Sequence, residues 1–303
     1  MITLKKENSS RGIPPEKRTL EQLMQTGIIV LDKPCGPSSH EATTYARKIL
    51  GLNKAGHTGT LDQDVSGVLI VLLQEACKAA NFFPDSSKKY TCLMRLGKEA
   101  SKKQVEEAMQ NFKGKIYQKP PLASAVAKRL RIREVFDLNV LEIQGKNVLF
   151  DVHCQAGTYV RNICRDSGEV LGNGAVMTEL RRTQAMGLSE KQSTQLQELS
   201  DFKWLATCGK PEKLMQAILP IEKALKLKKV VLSDEGVEKT CHGINPWKKD
   251  ALSLDKNIEK DEAVLLYTGR GQAFSIAKAL HNAKKAPEQG DWFDLERLIL
   301  TPK

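Results

Sequence analysis

The chain lacks most of the features that mark a specialised class of protein. Its seven cysteines, at positions 35, 77, 92, 154, 164, 208 and 241, are scattered singly with no CxxC pair. That pattern excludes a disulfide scaffold and a zinc ribbon, and it predicts buried or half-buried thiols in a reducing compartment. Cys241-His242 has no further ligand at metal-binding spacing. No apolar run approaches the length of a membrane span, and the opening MITLKKENSSRGIPPEKR lacks the apolar centre of a secretory signal. An intracellular protein without membrane association is the expectation. There is no phosphate-cradling P-loop; Thr268-Gly269-Arg270-Gly271 is only a short glycine turn. A Ser/His/Asp arrangement, internal repeats and low-complexity tracts are also missing.

What is present is length and positive charge. At 303 residues the chain can bury a substantial core, and two domains are expected. The net charge is +11, but from Lys228 onward 13 Lys/Arg face 12 Asp/Glu. Nearly all the excess therefore lies in the first three quarters. A basic surface without membrane-seeking character points to nucleic acid, with solubility alone as the plain alternative.

Punctuation along the chain gives the organisation. Residues 1–26 are polar and are expected to wrap or fray. Gly27-Ile28-Ile29-Val30-Leu31 reads as a strand, and a Ser38–Glu41 capping box opens a helix that closes at Gly51. A buried strand at 68–73, a helix near 74–83, a strand over 88–96 and a helix capped by Ser101 and Gln104 follow. Strands near 138–143 and 147–154, a helix from about Tyr159 to Leu171, and a basic segment around Arg181-Arg182 complete this part. Residues 190–225 read as helical and connecting. The mixture predicts an α+β catalytic domain over 27–226 with a mixed, mainly antiparallel sheet flanked by helices. Residues 227–303 change to short strands separated by glycine turns, which fits a small β-barrel-like module.

The segment GHTGTLDQDVSG, residues 56–67, is the most informative. It displays one early carboxylate, Asp62, on a glycine-punctuated loop that runs into the apolar strand 68–73. Asp62, Asp64, Ser66 and Gly67 imitate the start of a calcium loop, but the twelfth position is Leu73 where an EF-hand needs Glu. Tyr90 adds an aromatic ring on a strand with basic neighbours. Arg161 adds a guanidinium at a strand-to-helix junction. Each has a plain reading on its own: a turn former, a core ring and a solvated helix charge.

Taken together, GIIVLDKPCGPSSHE, AGHTGTLDQDVSGVL, KKYTCLMRLG, KPPLASAV, AGTYVRNICRDSG and GAVMTELRRT resemble, in order, the motifs of RNA pseudouridine synthases of the TruB/dyskerin class. The resemblance covers about Gly27 to Thr183. It implies a cofactor-free, metal-free isomerisation in which the uracil–ribose bond breaks, the base turns and carbon 5 joins the sugar. Asp62 would be the nucleophile, attacking sugar or base. Arg161 would be its counter-ion, on the premise that the carboxylate is buried and needs a cation to stay ionised. Tyr90 would stack on a base taken out of its helix. His57 would meet the flipped nucleotide or structure its loop, Tyr159 and Leu180 would form pocket walls, and Lys33 and Pro34 would support the loop. The C-terminal module looks like a PUA RNA-binding domain, in which Gly243 would let RNA backbone approach closely.

Within the class, the chain resembles the archaeal dyskerin type. KPPLASAV is followed at once by Ala127-Lys128-Arg129-Leu130-Arg131-Ile132-Arg133, without the long insertion of stand-alone transfer RNA enzymes. The resemblance implies an H/ACA guide RNA, a ribosomal RNA substrate and small H/ACA core proteins as partners. It also implies a cytoplasmic location in an archaeon or a nucleolar one in a eukaryote. Lys128, Arg129, Arg131 and Arg133 then read as a phosphate-tracking strip, against a simply solvated run. Two residues depart from the pattern: Gln63 stands where Pro is usual, and Ala123 where Arg is usual. A stand-alone transfer RNA pseudouridine synthase and a non-catalytic RNA-binding scaffold are the alternatives.

Overall fold

The computed structural model describes residues 1–83, 86–120, 129–283 and 290–303. Lys128, Ala123 and most of the KPPLASAV motif lie outside the described residues. The first half contains β1 (Ile2–Thr3), α1 (Leu20–Thr26), β2 (Gly27–Lys33), α2 (Ser39–Leu50), β3 (Ala55–Thr58), β4 (Val65–Leu73), β5 (Lys88–Leu96), α3 (Lys102–Gln110), β6 (Gly114–Gln118), β7 (Arg131–Gln144) and β8 (Asn147–Cys154). After these come α4 (Val160–Val170), β9 (Ala175–Ala185), β10 (Leu188–Ser189), α5 (Leu196–Thr207), α6 (Glu212–Ala217) and β11 (Ile218–Pro220). The chain ends with β12 (Lys228–Leu232), α7 (Asp234–Cys241), β13 (Ala251–Leu254), β14 (Ala263–Thr268), β15 (Ala273–Ala279) and β16 (Phe293–Leu298).

Local chemistry accounts for the helix boundaries near the site. Ser38 Oγ accepts from the Glu41 amide at 3.2 Å and the Glu41 carboxylate accepts from the Ser38 amide at 2.8 Å, so α2 opens on a complete capping box. It stops at Gly51, whose φ of +71° is left-handed. Ser101 and Gln104 cap α3 in the same way. The expected helix near 74–83 is a 3-10 stretch, Gln74–Phe82. The expected strand near 138 is longer: β7 begins at Arg131, so Arg131 and Arg133 of the basic run lie on its first residues.

The large sheet runs β11-β2-β4-β9-β5-β8-β7-β6, with β3 on β4 and β10 on β9. Its ladders are antiparallel except for the β4–β9 pair. The mixed, mainly antiparallel sheet flanked by helices is therefore present. Strand β4 explains its own sequence. Leu69, Val71 and Leu73 join the core under α1, α2 and α5, while Val68, Ile70 and Leu72 join a second core with Leu265, Tyr267, Ile276 and Ile299 of the C-terminal module. An uninterrupted apolar strand is what burial on both faces demands.

The C-terminal sheet runs β1-β13-β12-β14-β15-β16, an open path rather than a closed barrel among the described residues, with register shifts that bend β12, β14 and β15. The polar N-terminus wraps rather than frays. β1 adds a strand to this sheet, Ser10 donates to Asp234, and Gly12 N donates to the Lys303 carbonyl at 2.8 Å. Arg18 and Glu222 then form a buried, two-pronged ion pair at 2.6 and 3.1 Å. Cys92, Cys154 and Cys164 are buried as expected of isolated thiols, whereas Cys35 and Cys208 are exposed.

Candidate active site

A fork in the sheet carries the site. One edge of β4 is covered by β2 along most of its length. The other edge is shared: β9 pairs in parallel with Val65–Gly67, and β3 pairs antiparallel with Ile70–Leu73. The loop from Gly59 to Asp64 leaves β3 at this divergence and re-enters at β4. Parallel pairing brings the β4 and β9 backbones so close at Gly67 that a Cβ there would sit 2.2 Å from the Arg182 carbonyl oxygen. With φ at +103°, only glycine fits.

Asp62 sits at the tip of this loop, and the residues beside it are fastened. Ser39 Oγ accepts from the Leu61 amide at 2.8 Å and donates to the Leu61 carbonyl at 3.0 Å. The Lys33 ammonium, fully buried, donates to the carbonyls of Pro34 and Pro37 at 2.8 Å and of Gln63 at 3.3 Å. Burial lowers the Lys33 pKa, and the carboxylates of Asp64 and Asp62 partly oppose that. The turn closes through Val65 N donating to Asp62 O at 3.1 Å. Lys33 thus supports the loop, as the resemblance implies, by binding its backbone.

Arg161 reaches Asp62 from α4, its Nη2 donating to Oδ2 at 2.9 Å. The pair is not buried: the Asp62 and Arg161 side chains are 65% and 43% exposed. That corrects the premise that a buried carboxylate requires the cation. In the free chain the ion pair orients the carboxylate in water, where such pairs contribute only about 0–1 kcal/mol. The start of α4 is clamped instead by Gln118 at the end of β6. Its side-chain amide accepts from Tyr159 N at 2.9 Å and donates to Tyr159 O at 3.0 Å, while Asn162 donates to Lys119 O. These two hydrogen bonds to the backbone of one residue fix where Arg161 emerges.

Tyr90 lies on β5, paired with Arg182 across a β-bulge, and only 9% of it is exposed. Burial raises its phenol pKa, and the Arg182 guanidinium opposes that as a neighbouring charge and hydrogen-bond donor. The Asp62 carboxylate acts on the same phenol. His57 on β3 is half-buried, and its Nδ1 is buried without a partner among the described residues. Desolvation lowers its pKa, with His40 and Arg182 adding repulsion, which favours the neutral imidazole. Leu180 pairs with Val65 at the loop's return, and Tyr159 stands before Arg161. Asp62, Tyr90, Arg161, His57, Tyr159 and Leu180 thus belong to strands, loops and a helix end that converge on the fork.

The remaining expected sites lie elsewhere or act differently. Arg131 and Arg133 alternate along the start of β7, with Arg129 exposed just before it. The Arg133 guanidinium packs over Gly157, about whose missing Cβ it would lie at 3.1 Å, so it abuts the turn that leads to Arg161. Gly243 follows α7 with φ at +78° and open space around it. Its left-handed conformation already explains the glycine. Sequence reasoning missed Ser39, Gln118 and Arg182. The doubled Arg181-Arg182 on a strand was the available signal, because alternation sends one of two adjacent residues inward.

Three family models match the chain: TruB family pseudouridylate synthase (N terminal domain) over residues 47–160, tRNA pseudouridylate synthase B C-terminal domain over 161–226, and the DKCLD (NUC011) domain over 3–43. A probable tRNA pseudouridine synthase B of Methanocaldococcus jannaschii is 43% identical over 97% of this chain and 88% of its own length. Its counterpart in Archaeoglobus fulgidus is 41% identical over 97% and 91%. Among solved structures, a Cbf5-Nop10-Gar1 complex contains a chain 38% identical, with a TM-score of 0.90 over 98% of this chain and 93% of that one. An H/ACA RNP bound to a substrate RNA containing 2'-deoxyuridine contains one 36% identical, with a TM-score of 0.88 over 98% and 92%.

Proposed function

The chain belongs to the TruB family of pseudouridine synthases, and we propose that it acts on ribosomal RNA as the catalytic subunit of an H/ACA guide-RNA particle. In this reading residues 27–226 are the catalytic domain and 227–303 a PUA RNA-binding domain, with 1–26 as an extension whose first part packs on the latter and whose helix α1 packs on the former. The observation that carries the site assignment is the 2.9 Å ion pair between Asp62 and Arg161 on a loop tied down on both sides.

The chemistry follows from those groups. Asp62 is the nucleophile and needs to be anionic and aimed. Arg161 provides charge and direction, and the fastened loop limits the motion that would blur the aim. When RNA covers the pair, water leaves and the attraction strengthens, so the cation matters more in the complex than in the free chain. The bond from uracil N1 to the sugar breaks, the base turns, the bond from C5 forms and the C5 proton leaves. Tyr90 holds the turning base by its ring. His57 lies beside the nucleotide, and Tyr159 and Leu180 wall the pocket. The positive charge of Lys128, Arg129, Arg131 and Arg133 tracks phosphates, and Gly243 contributes an open backbone approach. No metal or organic cofactor is invoked.

The guide-dependent assignment is supported by the likeness to chains from Cbf5 and H/ACA structures over nearly the whole length. It is supported also by the short β6–β7 connection, since Gln118 already pairs with Arg131. Nop10-like and Gar1-like small proteins are the partners it implies, and the archaeal source of the relatives supports the cytoplasm as its place of action. The names of the curated relatives favour a second reading, modification of transfer RNA without a guide. Turnover assays separate the two. The purified protein should be slow on ribosomal fragments until guide RNA and accessory proteins are added. Robust guide-free activity confined to transfer RNA would reverse the assignment.

A further inference from the structure

We propose that Arg182 is a positioning residue for the reaction, holding the Asp62 loop and the strand that carries Tyr90 in one rigid unit. The proposal starts from the fork. Where β9 and β3 part along the edge of β4, the carbonyl of Val68 has neither strand to pair with, and the carbonyls of Gly59 and Thr60 leave the ladder as the loop begins. Buried carbonyls of this kind need donors. The Arg182 side chain enters the gap from β9. Its Nε donates to Val68 O at 2.7 Å, Nη2 to Gly59 O at 3.2 Å and Nη1 to Thr60 O at 3.5 Å. Tyr90 is its cross-strand partner on β5. One planar fork of donors thus ties β4 to both residues that begin the loop, at the strand position opposite Tyr90.

The energetics make a merely decorative role untenable. Arg182 is 1% exposed and makes no ion pair among the described residues. A guanidinium kept charged in a protein interior without a carboxylate costs several kcal/mol unless hydrogen bonds and function offset it. An apolar side chain would fill the same space but leave three carbonyls unsatisfied. Lysine would keep the charge but present a point donor that cannot reach three acceptors at fixed angles. Gly67 is the structural counterpart: the close β4–β9 approach it permits is what aims Arg182 into the fork. Arg182 touches no reacting atom in this account. It acts through Tyr90 and the loop.

The inference rests on the assignment of Asp62 and Tyr90 to the site, and the test keeps the two apart. Single-turnover pseudouridine formation and RNA affinity are measured for the assembled complex carrying Asp62→Ala, Arg182→Lys, Arg182→Gln, Tyr90→Phe and the Arg182→Lys/Tyr90→Phe double variant, each checked by circular dichroism. Arg182→Lys should fold and bind RNA at the wild-type concentration, yet react ~100-fold more slowly at saturation, the loss expected of a small misplacement. The double variant should be no more than ~3-fold slower than Tyr90→Phe alone, because both substitutions cut one unit. An unchanged rate in Arg182→Lys, losses that multiply in the double variant, a loss of affinity in place of rate, or loss of the fold in both Arg182 variants would each overturn the proposal. Wild-type activity in Asp62→Ala would instead sink the site assignment itself.

Discussion

At Gln63 the chain departs from its family's wording, and the structure says what the departure does. Gln63 follows Asp62 in a turn closed by Val65 N donating to Asp62 O, and its own carbonyl accepts from Lys33 and from the Gly36 amide. Its backbone N–H donates to nothing among the described residues, so proline would remove no bond there. The second position of such a turn suits proline. Gln63→Pro should therefore keep activity and stabilise the protein by about 0.4–1 kcal/mol through the unfolded chain, read as a higher midpoint in urea. A loss of activity would show that the loop needs freedom at this point. The residues bearing reactive groups were legible in the sequence because Asp62, Tyr90 and Arg161 each sit in a long motif of a known class. Ser39, Gln118 and Arg182 were not, because a polar side chain on a strand or helix start reads equally well as solvated. Their partners lie 22, 41 and more than 100 positions away along the chain.

Among elements, β4 was the easiest to read and the most consequential. Its continuous apolar run predicted burial, yet nothing in it told which element covers the second face. The answer is the C-terminal module, whose Leu265, Tyr267 and Ile276 share a core with Ile28, Val30 and Ile70. The N-terminal segment left wrapping and fraying equally open for a related reason. Its polar composition hides one buried cation, Arg18, whose partner Glu222 also accepts from Ala273 N at 3.0 Å. That pair stitches the segment before α1, the link after β11 and the start of β15. Glu222→Ala should cost about 3–5 kcal/mol, because it strands a buried guanidinium. The double change Arg18→Met/Glu222→Leu should recover most of that loss in thermal melts. Equal damage from both would mean the pair contributes little beyond packing.

Across the whole molecule, the two sheets meet through one shared core, so the fork at β4 and the C-terminal module are parts of one frame. The excess of positive charge falls in the part that carries the site, whereas the last 76 residues are nearly neutral. Shape is expected to place the RNA through the C-terminal module while charge holds it over the fork. The most direct measurement is pseudouridine formation by the guide-assembled complex carrying Asp62→Ala, with RNA affinity measured on the same preparation. The account predicts no detectable pseudouridine and affinity unchanged from wild type. Product formed at the wild-type rate would contradict it.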